Sequence, residues 1–352
     1  MSAPPSQAPK PRAVPPDLLP WAVAQLAEPD PGAKLVPVAG DASNRRYFRL
    51  RVRRGSVIVL EAPPATEKNT AFLAVQRALE AGGVRVPRVL AADLDRGYLL
   101  LEDLGDRLLL PELDTRTADG WYAAALDVMA RLARVSPQAA RVPDYDAGLL
   151  EEELGRLPEW FLQRLLGLEL TGADRALLES VSEVLVGNAL EQPRVLVHRD
   201  FHSRNLMPQA DGALAVIDFQ DTVYGPVTYD LVSLLRDCYI RWPVARVEGW
   251  ALRYRAQLQD AGLMAPVSEA RFLCWFDLMG LQRHLKVLGT FARLSLRDGK
   301  ADYLGDLPLV MAYVEEVVER RAGEVPALAA LGDWWRERVR PRLAQQAWAT
   351  RS

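Results

Sequence analysis

Residues 194–219 read RVLVHRDFHSRNLMPQADGALAVIDF, and this stretch decides the fold that we expect. The apolar run VLV predicts a buried strand, and the polar loop that follows carries Asp200 and Asn205. A turn at the Asp-Gly pair leads into a second apolar strand, ALAVI, which ends at Asp218. The pattern predicts a β-hairpin that carries Asp200, Asn205 and Asp218 to one end of a cleft.

These three residue types, in this order, are typical of phosphoryl transfer, which needs metal ions on the phosphates and a carboxylate near the acceptor hydroxyl. We predict that Asp200 is the catalytic base and that Asn205 and Asp218 offer oxygen ligands to Mg²⁺, with ATP as the phosphoryl donor. The alternative is that Asp200 and Asn205 only cap a turn. We predict structural roles for His198, which supports the loop, and for Asp230, which caps a helix or braces the loop.

The first third of the chain contains two candidate nucleotide contacts. A polar loop before the strand YFRLRV contains Gly40, Asp41, Ser43, Asn44, Arg45 and Arg46. Small residues there allow backbone N–H groups to approach phosphates, although an ordinary hairpin turn has the same composition. Further on, the segment LLLEDLG predicts a backbone contact to adenine through the carbonyl of Glu102 and the N–H of Leu104, with a plain strand end as the alternative.

The hydrophobic patterns divide the chain into two lobes, an α+β design with a cleft between the lobes. We expect a disordered proline-rich tail over 1–18, a β-rich lobe over 19–104 with one helix near 70–81, and a mainly helical lobe over 105–352. Apolar residues at helical spacing predict the helices of the second lobe. These segments are 117–135, 149–166, 174–190, 227–239, 244–261, 269–288 and 307–319.

Composition excludes several classes of function. The chain has 352 residues with 43 basic and 46 acidic side chains, a net charge of -3 that argues against a nucleic-acid surface. The N-terminus lacks the apolar core of a signal peptide, and no apolar run is long enough to span a membrane. The two cysteines, Cys238 and Cys274, have no metal-ligand spacing and predict free thiols. We therefore expect a cytoplasmic protein with neither nucleic-acid nor membrane partners.

From Lys34 to the end, the chain resembles the aminoglycoside phosphotransferase and choline kinase family, through HRDFHSRN and VIDF. The resemblance implies a protein-kinase-like fold with a small β-rich N-lobe and a larger helical C-lobe. The segments GDASNRRYFRL, VLEAPP, LLLEDLGD and VIDFQDTVYGPVTYDLVSLLRDCYIRWP look like the branch of bacterial anomeric sugar kinases. That likeness implies phosphorylation of N-acetylmuramate or N-acetylglucosamine at the 1-hydroxyl in cell-wall recycling. A downstream nucleotidyltransferase would then use the sugar 1-phosphate.

One departure from the kinase pattern concerns the third strand. Kinases usually carry a lysine there for the ATP phosphates, whereas SVIVLEAPP ends its strand with Glu61. Arg45, Arg46, Arg49 or Lys68 could supply the missing charge, and of these we expect Arg45 or Arg46, with Glu61 able to orient an arginine. The missing lysine also keeps open a nucleotide-binding pseudokinase.

Polar residues after the catalytic motif are candidates for the acceptor site. They are Arg204, Gln220, Asp221, Tyr224, Arg283 and His284. For His284 a core or surface position is the simpler interpretation. Kinases of another small alcohol, such as an aminoglycoside, choline or homoserine, remain an alternative. The cationic members of that group favour an acidic cleft, while arginines here fit a neutral or anionic sugar better.

Overall fold

The N-terminal part of the chain forms a five-stranded antiparallel sheet with one helix on each face. The computed structural model describes residues 13–28, 30–38 and 44–349. The strands are β1 (Leu35–Pro37), β2 (Arg46–Arg51), β3 (Ser56–Glu61), β4 (Val89–Asp93) and β5 (Tyr98–Glu102), in the order β1-β2-β3-β5-β4. The helices are α1 (Leu18–Ala24) and α2 (Asn69–Ala81). The expected lobe is therefore present, with its helix where the sequence predicted it.

Alternating side chains explain why the sheet has two covered faces. Phe48 and Leu50 of β2 point to the face where Leu18 and Trp21 of α1 pack. On the opposite face Leu60, Leu99 and Leu101 join the side chains of α2 in the main core. Leu18, at the end of the predicted tail, is fully buried and begins α1. Residues 13–17 of the predicted tail are also described, and the Tyr98 hydroxyl donates to the Asp17 carboxylate at 2.9 Å. Residues 1–12 lie outside the described residues.

The larger part of the chain is mainly helical, as predicted. Its α-helices are α3 (Ala118–Leu132), α4 (Pro137–Ala140), α5 (Ala147–Leu154), α6 (Gly172–Glu191), α7 (Tyr229–Leu235), α8 (Val244–Asp260), α9 (Glu269–Asp298), α10 (Leu307–Arg321), α11 (Pro326–Trp334) and α12 (Arg340–Leu343). Leu157–Leu165 and Trp335–Val339 are π-helices, and Leu110–Glu112 and Ala301–Asp306 are 3₁₀ turns. Four short strands complete this lobe: β6 (Arg194–Val197), β7 (Leu206–Pro208), β8 (Leu214–Val216) and β9 (Val223–Pro226).

Two predicted helices differ most from the structure, and each difference has a physical reason. The single helix predicted over 149–166 is interrupted after Leu154, because Pro158 lacks the N–H that would continue the hydrogen-bond ladder. Conversely, α9 runs past its predicted end at residue 288, through Gly289, and stops at Gly299, which has a φ of 71°. A Cβ on Gly289 would lie 2.3 Å from the carbonyl carbon of Arg156, so this glycine permits close packing and does not end the helix.

Direct hydrogen bonds join the two lobes near the β7–β8 hairpin. The N–H of Val216 donates to the carbonyl of Arg85 in the N-lobe at 2.8 Å. After β5 the linking segment returns to the hairpin, where the N–H of Leu109 donates to the carbonyl of Leu206 at 2.8 Å. The hairpin is thus fixed against both lobes. None of the helices in the described ranges is long and apolar enough to cross a membrane.

Candidate active site

The hairpin brings the three predicted catalytic residues to one place. β7 and β8 pair antiparallel, with Leu206 opposite Val216, so their neighbours Asn205 and Ile217 are also adjacent. The N–H of Ile217 donates to the carbonyl of Asn205 at 3.1 Å, which places Asp218 directly beyond the end of the ladder. The Asn205 side chain reaches back through Nδ2 to the carbonyl of Asp200 at 3.0 Å. Asp200, Asn205 and Asp218 therefore belong to one contiguous backbone unit.

The buried carboxylate of Asp230 fixes the start of the catalytic loop. It accepts the N–H of His198 at 2.6 Å and the N–H of Arg199 at 3.0 Å. Arg199 has a φ of 77°, a conformation that costs about 1–2 kcal/mol for a residue with a Cβ and needs such support. Burial raises the pKa of Asp230 to about 7, against the effect of these two N–H donors. Asp230 thus braces the backbone that presents Asp200, while Thr228 occupies the N-cap position of α7.

His198 lies inside the lobe and links the catalytic loop to the residue that follows β8. Its side chain is completely buried, with Nε2 at 3.0 Å from the carbonyl of Ile217 and Nδ1 accepting the N–H of Asp200 at 3.3 Å. Burial lowers its pKa to about 4, so the ring is neutral and carries its proton on Nε2. His198 therefore contacts the backbone of Asp200 from inside the lobe, which agrees with the structural role predicted for it.

Positive charge surrounds the carboxylate of Asp200. Burial alone would raise the pKa of Asp200, but nearby cations, Lys286 foremost, lower it below its ordinary value. His202, Arg283 and Arg199 add to this lowering. Asp200 is consequently ionised at neutral pH, the form in which it can accept a proton.

A second buried carboxylate, Glu153 of α5, organises two of these cations. It is fully buried and accepts hydrogen bonds from the Tyr145 hydroxyl, the Arg199 guanidinium and Lys286 Nζ, the last at 2.9 Å. Lys286 also donates to the Tyr229 hydroxyl at 2.8 Å. Sequence patterns do not indicate this network, because Glu153 and Lys286 lie far apart along the chain on ordinary amphipathic helices. Their proximity arises only from the packing of α5 on α9.

Asn205 and Asp218 form a pair of oxygen donors suited to Mg²⁺. Because Asn205 Nδ2 is committed to the Asp200 carbonyl, its Oδ1 remains as the group to ligate a metal. Gln220 Nε2 donates to Asp218 Oδ1 at 2.5 Å and orients that carboxylate. Nowhere in the described ranges do three or more His, Cys, Asp or Glu side chains form a metal site. Mg²⁺ commonly uses one or two carboxylates together with substrate phosphates, so this pair fits a metal shared with a nucleotide.

The predicted phosphate loop is described only in part. Gly40, Asp41 and Ser43 lie outside the described residues, and Asn44 is exposed two residues before β2. The Arg46 guanidinium forms an ion pair with Glu61, its register partner on β3. A cation therefore stands beside the third strand even though the strand itself carries an acid.

Arg45 has a different environment from Arg46. Its Nε lies 3.2 Å from a carboxylate oxygen of Glu67, and its guanidinium lies 5.5 Å from the centre of the Phe72 ring. The Arg45 side chain is almost completely buried, while that of Arg46 is 23% exposed. Of the two predicted substitutes for the lysine, Arg46 is therefore the more accessible to a ligand.

The junction between the lobes contains the predicted adenine contacts. The carboxylate of Glu102 pairs with Arg85 at 2.7 Å and with Arg88 at 3.2 Å, and its N–H donates to the carbonyl of Arg88. Leu104 follows as a half-buried residue in an irregular segment. The side chain of Glu102 thus forms ion pairs within the N-lobe. The adenine contact predicted for Glu102 uses its backbone carbonyl and stays a prediction.

The predicted acceptor residues occupy different surroundings. Arg204 is exposed in the catalytic loop and stacks on Tyr239, whereas Arg283 is buried and donates to Cys238 Sγ at 3.6 Å. Gln220 contacts Asp218, and Asp221 is exposed beside it. These residues lie on or next to the elements that carry Asp200, Asn205 and Asp218.

Two other predicted acceptor residues make their contacts away from Asp200, Asn205 and Asp218. His284 is fully buried, stacks on Tyr313 with ring centres 4.9 Å apart, and lies 3.0 Å from the carbonyl of Arg236. Tyr224 lies on β9, and the Arg194 guanidinium covers its ring at 4.4 Å. His284 thus occupies the core position that was its simpler interpretation.

Comparisons with known proteins show the family to which the chain belongs. Residues 34–269 match the Phosphotransferase enzyme family. The chain is 46% identical to the N-acetylmuramate/N-acetylglucosamine kinase of Pseudomonas putida, over 86% of this chain and 88% of that protein. It is 45% identical to the kinase of the same name from Pseudomonas aeruginosa, with the same coverage of both chains.

Solved structures show the same fold at low sequence identity. The Plasmodium vivax ethanolamine kinase superposes with a TM-score of 0.59 at 10% identity, covering 80% of this chain and 82% of that one. This likeness confirms the two-lobed kinase-like fold expected from the sequence. The family match spans the β-rich lobe, the catalytic hairpin and the helices that brace it. The chain therefore belongs to the phosphotransferase enzyme family.

Proposed function

We propose that this protein is an ATP-dependent sugar kinase that phosphorylates the anomeric 1-hydroxyl of N-acetylmuramate, N-acetylglucosamine or both. One observation carries the proposal: the braced catalytic loop and the adjoining β7–β8 hairpin present Asp200, Asn205 and Asp218 together within a kinase-like fold. The names of the two Pseudomonas relatives support the choice of acceptor.

In the proposed mechanism Asp200 orients and deprotonates the acceptor hydroxyl. The anomeric oxygen attacks the γ-phosphorus of ATP in line, the bond from that phosphorus to the β–γ bridging oxygen breaks, and ADP leaves. The hydroxyl proton passes to the Asp200 carboxylate. A hemiacetal hydroxyl is more acidic than an ordinary alcohol, so an ionised aspartate is a sufficient base.

Asn205 and Asp218 would hold Mg²⁺ through Asn205 Oδ1 and the Asp218 carboxylate. When bound, Mg²⁺ offsets the negative charge on the phosphate oxygens of ATP. The hydrogen bonds from Asn205 to the Asp200 carbonyl and from Gln220 to Asp218 keep both ligands oriented before substrate arrives. The base and the metal ligands are thereby held at a fixed spacing.

For the nucleotide, we propose that ATP phosphates lie beneath residues 40–46 and that adenine contacts the backbone of Glu102 and Leu104. Arg46 would supply the charge that other kinases take from a lysine of the third strand. Its ion pair with Glu61 supports this assignment, since it orients a partly exposed guanidinium beside that strand.

For the acceptor, we propose a site next to Asp200 on the C-lobe side, formed from Arg204, Arg283, Gln220 and Asp221. A sugar 1-phosphate is a substrate for nucleotidyltransferases, so such an enzyme is the proposed pathway partner. The pathway would be peptidoglycan recycling. This role would place the protein in the cytoplasm, where ATP is available.

A panel of acceptors tests the proposed function. ADP release is measured with N-acetylmuramate, N-acetylglucosamine, their 1-O-methyl glycosides, an aminoglycoside, choline and homoserine. We expect turnover of one or both free sugars and none of the methyl glycosides, because these lack the 1-hydroxyl. Turnover of a methyl glycoside would contradict anomeric phosphorylation, and turnover of choline or an aminoglycoside alone would identify another alcohol kinase. No turnover with any acceptor would favour a pseudokinase.

A further inference from the structure

Arg204 occupies an unusual place for an arginine without an ion pair. It stands in the catalytic loop one residue before Asn205 and four after Asp200, and its side chain is exposed. No carboxylate of a described residue forms an ion pair with it, although Asp306 lies close enough for the Arg204 charge to lower the pKa that burial raises. Its charge is therefore available to a ligand.

Aromatic stacking fixes the orientation of this guanidinium. The Arg204 guanidinium carbon lies 3.4 Å from the centre of the Tyr239 ring, and His202 contacts the same ring edge-on at 5.5 Å. A guanidinium that lies flat on an aromatic ring keeps the N–H groups at its edge free to form a two-pronged contact with a carboxylate. Stacking therefore leaves Arg204 prepared for a planar anion.

The backbone on both sides of this stack is also held. Asp237 accepts the N–H of Ser203 at 3.0 Å and the N–H of Tyr239 at 3.2 Å, tying the loop to the segment that carries the aromatic ring. Directly behind, Arg283 donates to Cys238 and, like Arg204, has no ion pair with a carboxylate of the described ranges. The guanidinium of Arg204 thus contacts Tyr239 and that of Arg283 contacts Cys238, beside the buried Asp237 carboxylate that holds the backbone.

The chemistry of the two proposed acceptors differs at one group. N-acetylmuramate carries a lactyl carboxylate that N-acetylglucosamine lacks, while both share the acetamido group and the 1-hydroxyl. We propose that Arg204 binds the lactyl carboxylate of N-acetylmuramate and is thereby a specificity-determining residue. This inference rests on the proposed function, because it takes the acceptor bound at Asp200 to be an amino sugar.

The contacts of Arg204 favour the acceptor over the nucleotide. Tyr239, Asp237 and Asp306 all belong to the helical lobe, and the predicted nucleotide contacts belong to the sheet lobe. A ligand at Arg204 would therefore lie against the C-lobe while its hydroxyl reaches Asp200. The alternative ligand for Arg204 is a phosphate of ATP. Because every acceptor reacts with the same ATP, loss of that contact would affect both sugars equally.

The test compares the two sugars in Arg204→Gln and Arg204→Lys. A charge-assisted, two-pronged contact is worth about 1.5–3 kcal/mol, about a 10- to 100-fold change in kcat/KM. We expect Arg204→Gln to lose about that factor for N-acetylmuramate and less than about threefold for N-acetylglucosamine, with Arg204→Lys intermediate. Arg164→Gln is the matched control, since Arg164 also stacks on an aromatic ring, Trp160 at 4.0 Å, on a helix remote from the loop.

A measurement on the unmutated enzyme gives an independent readout. The neutral lactyl amide of N-acetylmuramate should lose a similar factor with wild-type protein, and little further in Arg204→Gln. Equal losses for both sugars in Arg204→Gln, or no loss for N-acetylmuramate, would overturn the inference. Wild-type turnover of N-acetylglucosamine alone would overturn it while the proposed function stands. Turnover of neither sugar by the wild type would remove the proposed function itself.

Discussion

Replacement of Glu153 by glutamine should destabilise the protein strongly, although it changes only one atom in the side chain. The fully buried Glu153 carboxylate joins the cations Arg199 and Lys286, and it also accepts the Tyr145 hydroxyl. Glutamine keeps the size but removes the charge, so that the buried Lys286 and the partly buried Arg199 lose their shared carboxylate. Breaking a buried ion pair by removing one partner typically costs about 3–5 kcal/mol of the free energy of unfolding.

The pKa of Glu153 gives a second measure of this cost. Burial favours the neutral acid, but Lys286 and Arg199 lower the pKa to about 2, from an ordinary value of 4.5. At about 1.4 kcal/mol per pH unit, this difference corresponds to about 3 kcal/mol. Because the folded pKa lies below the unfolded one, the contribution is present above pH 4.5 and is lost as pH falls through about 2. The stability gap to the wild type should therefore narrow below pH 4.5.

Urea unfolding at neutral pH, followed by circular dichroism, measures the effect. With an m-value of about 3 kcal/mol/M, the Glu153→Gln midpoint should fall by about 1 M or more. The neighbouring Glu152 is exposed and pairs with Arg156 at 3.2 Å, so Glu152→Gln should change stability by less than about 1 kcal/mol. Adding Lys286→Met to Glu153→Gln removes a cation that has lost its carboxylate partner. The double variant should therefore recover part of the lost free energy of unfolding. Equal midpoints for Glu153→Gln and Glu152→Gln would refute the reasoning.

Three further predictions concern the nucleotide, the metal and the packing of α9. Arg46→Gln should raise the KM for ATP about tenfold and leave the acceptor KM unchanged, measured by ADP release, whereas Arg51→Gln at the exposed end of β2 should alter neither value. Asp218→Asn should raise the Mg²⁺ concentration for half-maximal rate by about tenfold or more in a magnesium titration, and an unchanged titration would exclude Asp218 as a ligand. Gly289→Ala would place its Cβ 2.3 Å from the facing backbone and should cost at least about 1–3 kcal/mol in urea unfolding. Gly187→Ala, with open space around its Cβ in α6, should instead stabilise by about 0.5–1 kcal/mol, so a neutral Gly289→Ala would argue against this close packing.

Local patterns in the sequence predicted much of the fold. The alternation in YFRLRV and the β-branched run in SVIVLE became β2 and β3, because residue alternation and burial are encoded within a few positions. Gly289 shows where such reasoning fails, since a glycine that permits close packing has the same local signature as one that ends a helix. No helix was predicted after residue 319, yet α11 and α12 follow α10.

The candidate site likewise has features that local sequence predicted and features that it did not. Asp200, Asn205 and Asp218 could be recognised because one hairpin carries them within a short stretch of sequence. The brace from Asp230 was one of the two roles predicted for that residue. The Glu153–Lys286 pair depends on the packing of α5 on α9, which local pattern does not encode. The assignment of the ion pair between Arg46 and Glu61 needed the register of β2 on β3. The acid at the end of SVIVLE had already indicated an arginine partner.

The catalytic role of Asp200 is the central claim, and turnover by Asp200→Asn tests it most directly. Wild-type and variant proteins are incubated with ATP, Mg²⁺ and N-acetylmuramate, sugar 1-phosphate is quantified by phosphorus NMR, and ATP affinity is measured separately by calorimetry. We predict that turnover falls by about 10² or more, because the base is lost, while the Kd for ATP changes by less than about threefold. Turnover close to that of the wild type would contradict the account.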